Sequence, residues 1–223
     1  MLSGGDCMLC QSVAEGPLAL CQDCLRELPV NDNACPQCAC GLSQPGNAPC
    51  GSCQTHPPHY DRAIVPYHYA APFDGFITRL KFNNQLANAR LMGQLLLRTL
   101  QARMLTPPLP QIILPMPLHA TRLRQRGFNQ ALELARPLAR AFALPLETRR
   151  VQRQRNTPPQ SDLKQQARKQ NIRNAFKVNG KLPYRHVAIL DDVITTGSTV
   201  NELAKILKQC GVEYVEVWAV ARA

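Results

Sequence analysis

Two carboxylates in succession, Asp191 and Asp192, close an apolar run and lead at once into Thr195, Thr196, Gly197, Ser198 and Thr199. Each part of this segment has chemistry available to it. Residues 195–199 can wrap a phosphate with backbone N–H groups and hydroxyls. Gly197 permits close approach and a positive φ. A helix opening here points the positive end of its dipole at the anion. The acids, at the carboxyl end of a strand, can accept hydrogen bonds from adjacent ribose hydroxyls, where open α/β sheets place their ligands. Thr199 and Glu202 also have capping-box spacing, but a cap requires neither paired acids nor a hydroxyl-rich loop. The segment lacks the Gly-Lys-Ser/Thr of a Walker A loop.

The cysteines form a second constellation. Four Cys-x-x-Cys pairs occur, Cys7 with Cys10, Cys21 with Cys24, Cys35 with Cys38, and Cys50 with Cys53. Two intervening residues let both sulfurs reach one tetrahedral ion, and two such pairs make a closed structural site with no position for water. Eight ligands imply two Zn²⁺ ions. Sequential pairing is preferred over an interleaved pattern because each half then needs only a short connection. A Cys-x-x-Cys pair can also be a redox centre, but four in one short module argue for metal. Cys40 is left over as a free thiol, and Cys210 is expected to pack in the core. Each structural zinc contributes roughly 10–16 kcal/mol in small modules, which matters in a segment with few large apolar side chains.

The elements that must position these residues alternate between strand and helix patterns. Residues 64–69 alternate loosely as a strand. Residues 86–104 carry Leu91, Leu95, Leu96 and Leu100 at helical spacing, and Pro107, Pro108 and Pro110 end that helix. Residues 112–114 read as a buried strand. Residues 129–143 read as a helix burying Leu132, Ala135, Leu138 and Ala139. Residues 187–190 are a strand, and the helix after Gly197 buries Val200, Leu203, Leu207 and Cys210 before Gly211 caps it. Residues 214–220 form a last strand. The alternation predicts an α/β domain with a mainly parallel sheet over residues 59–223, preceded by a Cys-rich double zinc-binding module over residues 1–58.

Charge divides along the same line. Residues 1–60 hold one basic residue, Arg26, against Asp6, Glu15, Asp23, Glu27 and Asp32, while the whole chain of 223 residues is formally +11. Residues 122–173 hold 13 Lys and Arg against Glu133, Glu147 and Asp162, so an anionic partner is expected there. Hydrophobic content of 45% marks a globular chain. No apolar run reaches the ~18 residues of a membrane span, and no basic-then-apolar leader opens the sequence, so a cytoplasmic location is expected.

Residues 187–199 resemble the signature of type I phosphoribosyltransferases, which bind 5-phosphoribosyl diphosphate (PRPP) with Mg²⁺. The resemblance assigns PRPP contacts to Asp191, Asp192, Thr195, Thr196, Gly197, Ser198 and Thr199. It places the diphosphate loop over residues 114–130, with Met116, Pro117, Arg122 and Arg126. The polar, basic stretch 149–173 resembles the hood that closes over such sites, with Arg153, Arg155, Gln160 and Arg168. The stretch from Leu114 to His119, then Arg122, Arg124 and Arg126 to Gln130, resembles the ComF/GntX family. So do Thr157 to Gln160, Leu163, Arg168, Asn171, Ala175 and Phe176, the residues Leu80, Lys81 and Phe82, and the N-terminal cysteine pairs. That family's pattern puts glycine directly after a cysteine where this chain has Cys38, Ala39, Cys40 and Gly41. The resemblance, closest to the GntX branch, implies a role in DNA uptake or in the use of external DNA as a nutrient, with single-stranded DNA and uptake proteins as candidate partners. The alternatives are an active phosphoribosyltransferase acting on a nucleobase or amine, and a PRPP-sensing regulator without turnover. An aromatic content of 5% argues against extensive base stacking.

Overall fold

A computed structural model of the chain describes residues 5–103, 108–155, 172 and 174–223. Its centre is a five-stranded sheet in which every pairing is parallel. The strands are β1 (Arg62–Ile64), β2 (Tyr67–His68), β3 (Ile112–Pro115), β6 (His186–Ile194) and β7 (Tyr214–Arg222), in the order β1-β7-β6-β3 with β2 also on β7. The single strand expected over residues 64–69 is two short ones. Val65 and Pro66 interrupt it, since Pro66 has no N–H to give a ladder.

Residues 187–190 and 215–221 are buried without alternation. That is the pattern of parallel strands covered on both faces. The cover comes from α4 (Leu86–Arg103) and α6 (Gln130–Phe142), which pack on β7, β6 and β3, and from α7 (Ser198–Gln209), which packs on β6 and β7. The helix expected over residues 129–143 forms with Asn129 as its cap, the side chain accepting from the N–H groups of Ala131 and Leu132. Its buried stripe is Ala131, Leu134, Ala135 and Leu138, so Leu132 and Ala139 are only partly covered and the phase is turned from the expected one. α4 and α6 approach closely at Gly93, where a Cβ would stand 2.7 Å from Pro137 Cγ and 3.0 Å from the Leu134 carbonyl oxygen.

Cys210 is exposed rather than in the core. It is the C-terminal cap residue of α7, three positions past the last buried residue of the helix, Leu207. The capping-box spacing also goes unused: Gly197 is the N-cap, and Glu202 accepts from the N–H of Asn174 instead.

Residues 5–58 contain only two short helices, α1 (Gln22–Arg26) and α2 (Gly51–Thr55). They join the sheet through main-chain bonds: Asn31 N–H to the Pro66 carbonyl at 2.7 Å and His68 N–H to the Pro29 carbonyl at 2.8 Å. Buried Asn31 ties both sides, donating to the carbonyls of Ala39 and Val65. A two-stranded antiparallel ribbon, β4 (Val151–Arg153) with β5 (Phe176–Val178), stands off the main sheet.

Candidate functional site

The strand β6 runs four residues past Leu190 and carries both acids within it. Alternation along the strand separates their fates. Asp192 is 4% exposed, whereas Asp191 keeps part of its surface. Asp191 Oδ1 accepts from the Asp192 N–H at 2.9 Å. Burial and the neighbouring Asp192 charge push Asp191 well above the usual carboxylate range. Burial would do the same to Asp192, but the Lys81 ammonium outweighs it and holds this carboxyl below that range. Lys81 Nζ lies 2.6 Å from Asp192 Oδ2.

The loop after β6 is built as the spacing predicts. Gly197 has φ +75° and starts α7, a backbone that a side chain would strain. Thr196 Oγ1 and Ser198 Oγ are 2.9 Å apart. Arg222, at the end of β7, donates to the carbonyls of Ile194 and Thr195 and braces the loop from below. The first N–H groups of a helix have no intrahelical acceptor and can meet an anion; here that of Ser198 leans to Thr196 Oγ1 at 3.4 Å.

Around this loop lies a cavity of about 750 Å³ lined by Asp191, Asp192, Thr195 and Thr199, by Met116, Arg122 and Arg126, by Arg153, and by Lys81 and Phe82. Three segments far apart in sequence therefore meet as expected. Met116 follows β3 directly, and Arg122 and Arg126 lie one turn apart on α5 (Ala120–Arg126). Arg126 is oriented by donation to Gln130 Oε1 at 2.6 Å. Pro117 is partly buried and outside the lining, Arg155 is exposed and also outside it, and Gln160 and Arg168 lie outside the described residues. Burial lowers the pKa of all three arginines, and like charge adds to it: Arg126 acts on Arg122, and Arg122 acts on Arg153. Crowded guanidinium groups under partial burial favour an anion between them.

Lys81 and Phe82 enter from α3 (Phe73–Asn83). Their types alone do not reveal this, because a contact across more than a hundred residues has no periodicity to announce it. The signal that was available is the family resemblance at Leu80, Lys81 and Phe82.

The cysteines gather sequentially, Cys7, Cys10, Cys21 and Cys24 in one group and Cys35, Cys38, Cys50 and Cys53 in the other, with all sulfurs of a group within 4.8 Å of one another. The edge of a Zn–S tetrahedron is about 3.8 Å. Cys10 to Cys21 measures 3.6 Å and Cys38 to Cys50 measures 3.7 Å. Both groups use the same knuckle. Gln11 N–H bonds to the Cys7 carbonyl with φ +64° at Gln11, and Ala39 N–H bonds to the Cys35 carbonyl with φ +55° at Ala39. Ala39 thus takes the left-handed position that glycine would fill. Residues and geometry fit a tetrahedral, thiolate-bound ion, which would act as a closed structural cross-link.

A divalent ion at the acidic pair fits poorly. Mg²⁺ takes ionised oxygen ligands in near-octahedral array, but Asp192 is engaged by Lys81, and burial beside the Asp192 charge disfavours the ionised form of Asp191. An Mg²⁺ accompanying PRPP would depend on oxygens of the ligand and water.

The phosphoribosyl transferase domain family matches residues 129–223. Competence protein F of Haemophilus influenzae is 37% identical over 211 residues, covering 92% of this chain and 90% of that protein. DNA utilization protein YhgH of Escherichia coli (strain K12) is 37% identical over 221 residues, 98% of this chain and 97% of that one. Competence protein ComFC of Streptococcus pneumoniae is 26% identical over 91% of this chain and 87% of its own length. The chain belongs to the ComF/GntX family and carries a phosphoribosyltransferase-type α/β domain with two four-cysteine groups before it.

Proposed function

We propose that this protein binds PRPP in the cavity above β6 and works in the uptake or use of external DNA. One observation carries the first part: the acidic pair, Thr195 and Thr199 at the two ends of the hydroxyl loop, and three arginines line one cavity, with Thr196, Gly197 and Ser198 between those two threonines but outside the lining. Residues 195–199 hold the 5-phosphate, Asp191 meets the ribose hydroxyls with Asp192 behind it, and Arg122 and Arg126 grip the diphosphate. Arg153 closes the site from the ribbon side. The DNA role rests on the names of the relatives and on the basic stretch. The phosphate backbone of single-stranded DNA is the fitting partner for that stretch, because charge neutralisation dominates such binding. The two cysteine groups hold Zn²⁺, and the boundary between module and domain falls after residue 58. Its acidic surface suits a protein partner better than DNA. No helix among the described residues is long and apolar enough to cross a membrane, and we place the protein's work in the cytoplasm.

Titration calorimetry with PRPP tests the reading. The wild type should bind saturably, and Asp191→Asn with Asp192→Asn should abolish binding while the circular dichroism spectrum is kept. Unchanged affinity in the double variant would sink the assignment.

A second reading, transfer of the phosphoribosyl group to a nucleobase, is favoured by Phe82. It is 73% exposed yet lines the cavity, and an aromatic face at the mouth can stack a planar acceptor. In that reaction the C1–O bond to diphosphate breaks, its electron pair leaves with the diphosphate, and the arginines receive that charge. Release of diphosphate with a defined base present would establish it. A fall in DNA affinity on PRPP binding without turnover would instead mark a sensor.

A further inference from the structure

The Lys81–Asp192 pair is the one strong contact in the cavity that the phosphate-loop reading leaves without a role. Its side chains are 25% and 5% exposed at 2.6 Å separation. An isolated carboxylate at this depth would be costly, and Lys81 is the cation that offsets the charge of Asp192.

The way α3 is anchored makes that cation a fixture. Phe73, Phe76, Ile77 and Leu80 of this helix are all buried in the core. Phe73 stacks on Tyr67 with ring centroids 4.4 Å apart. The helix stops just past Lys81, where Asn84 turns left-handed and its N–H bonds back to the Arg79 carbonyl. Lys81 therefore has a fixed origin and a short reach. The ammonium is drawn by Asp191 as well as Asp192 and opposed by Arg126, and it shares one cavity lining with both acids, Arg122 and Arg126. Burial disfavours its charge, but the pull of Asp192 more than offsets this, so it stays protonated.

We propose that Lys81 is the site's resident cation: it neutralises Asp192 and joins Arg122 and Arg126 in facing the diphosphate, so that PRPP is taken up without a divalent metal ion. A tethered ammonium occupies the position at which a free ion would otherwise have to be recruited, and the arginines beside it repel any second cation. Asp192 then serves as the seat of Lys81, which leaves Asp191 as the carboxylate for the ribose hydroxyls. The inference rests on the PRPP reading above.

The test is calorimetric titration of the whole protein with PRPP, with and without millimolar Mg²⁺. Divalent ions are removed from the buffer by resin and not by chelator, so the cysteine groups keep their metal. Wild type should bind equally in both buffers. Lys81→Gln, which keeps a donor for Asp192 but removes the charge, should lose at least about 30-fold in affinity without Mg²⁺ and recover most of it when Mg²⁺ is added. Lys81→Arg should remain metal-independent. A wild type that binds only with Mg²⁺ overturns the inference while leaving the PRPP reading intact. An equal loss for Lys81→Gln in both buffers overturns it too, since a purely structural lysine would not be rescued by an ion. If Lys81→Gln fails to fold, the two wild-type titrations still decide. Absence of PRPP binding in both buffers removes the PRPP reading itself.

Discussion

The two parts of this chain solve the same problem by opposite means. Residues 5–58 bury few large side chains and gather eight thiols into two groups, whereas the described residues from 59 onward bury a mainly apolar sheet under helices and gather acids, hydroxyls and arginines around one cavity. In the first part the residues that build the fold and the residues that bind are the same. In the second they are separate: Val187, Ala188, Val217 and Trp218 build the core of the sheet and take no part in the cavity lining. Perturbations should therefore discriminate sharply between the parts.

The largest expected effect is metal removal. With roughly 10–16 kcal/mol at stake per structural zinc, chelation should release two equivalents of Zn²⁺ and strip residues 5–56 of amide protection. The amides of β6 and β7 should keep theirs. Hydrogen exchange read by mass spectrometry checks both, and release of one equivalent or none would contradict the two-site arrangement. Loss of protection in β7 would break the comparison itself.

The reverse perturbation targets Glu216, fully buried in the sheet. It accepts from Arg62 Nη2 at 2.7 Å and Trp218 Nε1 at 2.8 Å, and pairs with His186 Nε2 at 3.0 Å. Burial pushes its carboxyl up, but the bonds from His186, Arg62 and Trp218 outweigh that and hold it below the ordinary value of 4.5. The unfolded chain thus takes up this proton first as pH falls. The stabilisation is complete above the unfolded value and is lost as pH drops through the lower folded one. Glu216→Gln should cost about 3 kcal/mol at neutral pH and flatten the acid limb of the stability curve, measured by urea denaturation across pH. Zinc content at neutral pH should not change.

A smaller effect is expected at Gly93→Ala. The new methyl would meet Pro137 Cγ and the Leu134 carbonyl, at a cost of about 1–3 kcal/mol, again without disturbing the cysteine groups. Smallest of all, Cys210→Ser should change stability by less than about 0.5 kcal/mol, because the side chain is exposed. Thermal melts decide both, and a large loss at Cys210 would return that residue to the core.

These contrasts also explain what could be read in advance. Local patterns survived: the run from apolar strand through paired acids to Gly197, the sequential cysteine pairs, and the capped helix after Asn129. Each is decided by residues close in the chain, at most 18 positions apart for a cysteine group. Long-range or two-sided decisions did not survive. The buried stripe of α6 turned toward Leu134 because its phase is set by α4 at Gly93 rather than by its own hydrophobic residues. Cys210 reads as apolar, but the helix has already left the sheet. Lys81 stood out only through the family resemblance, and its pairing with Asp192 is made by folding, which brings residues 111 positions apart to within 2.6 Å. Gln160 and Arg168, expected in the hood, fall outside the described residues.

The position of β7 in the sheet has a consequence for synthesis. This strand pairs with β1, β2 and β6, yet it follows all of them in the chain. A ribosome delivers β1 and β2 ahead of the strand they pair with in the sheet; β2 can meet only the Pro29–Asn31 segment, and the sheet pairings of both wait until residues 214–222 have emerged. The cysteine groups, by contrast, are complete once residue 53 is out. During translation the protein would be a metal-loaded head on an unsettled body, and the binding cavity would come into being only once β7 has joined the sheet and Arg222 has reached the carbonyls of the phosphate loop.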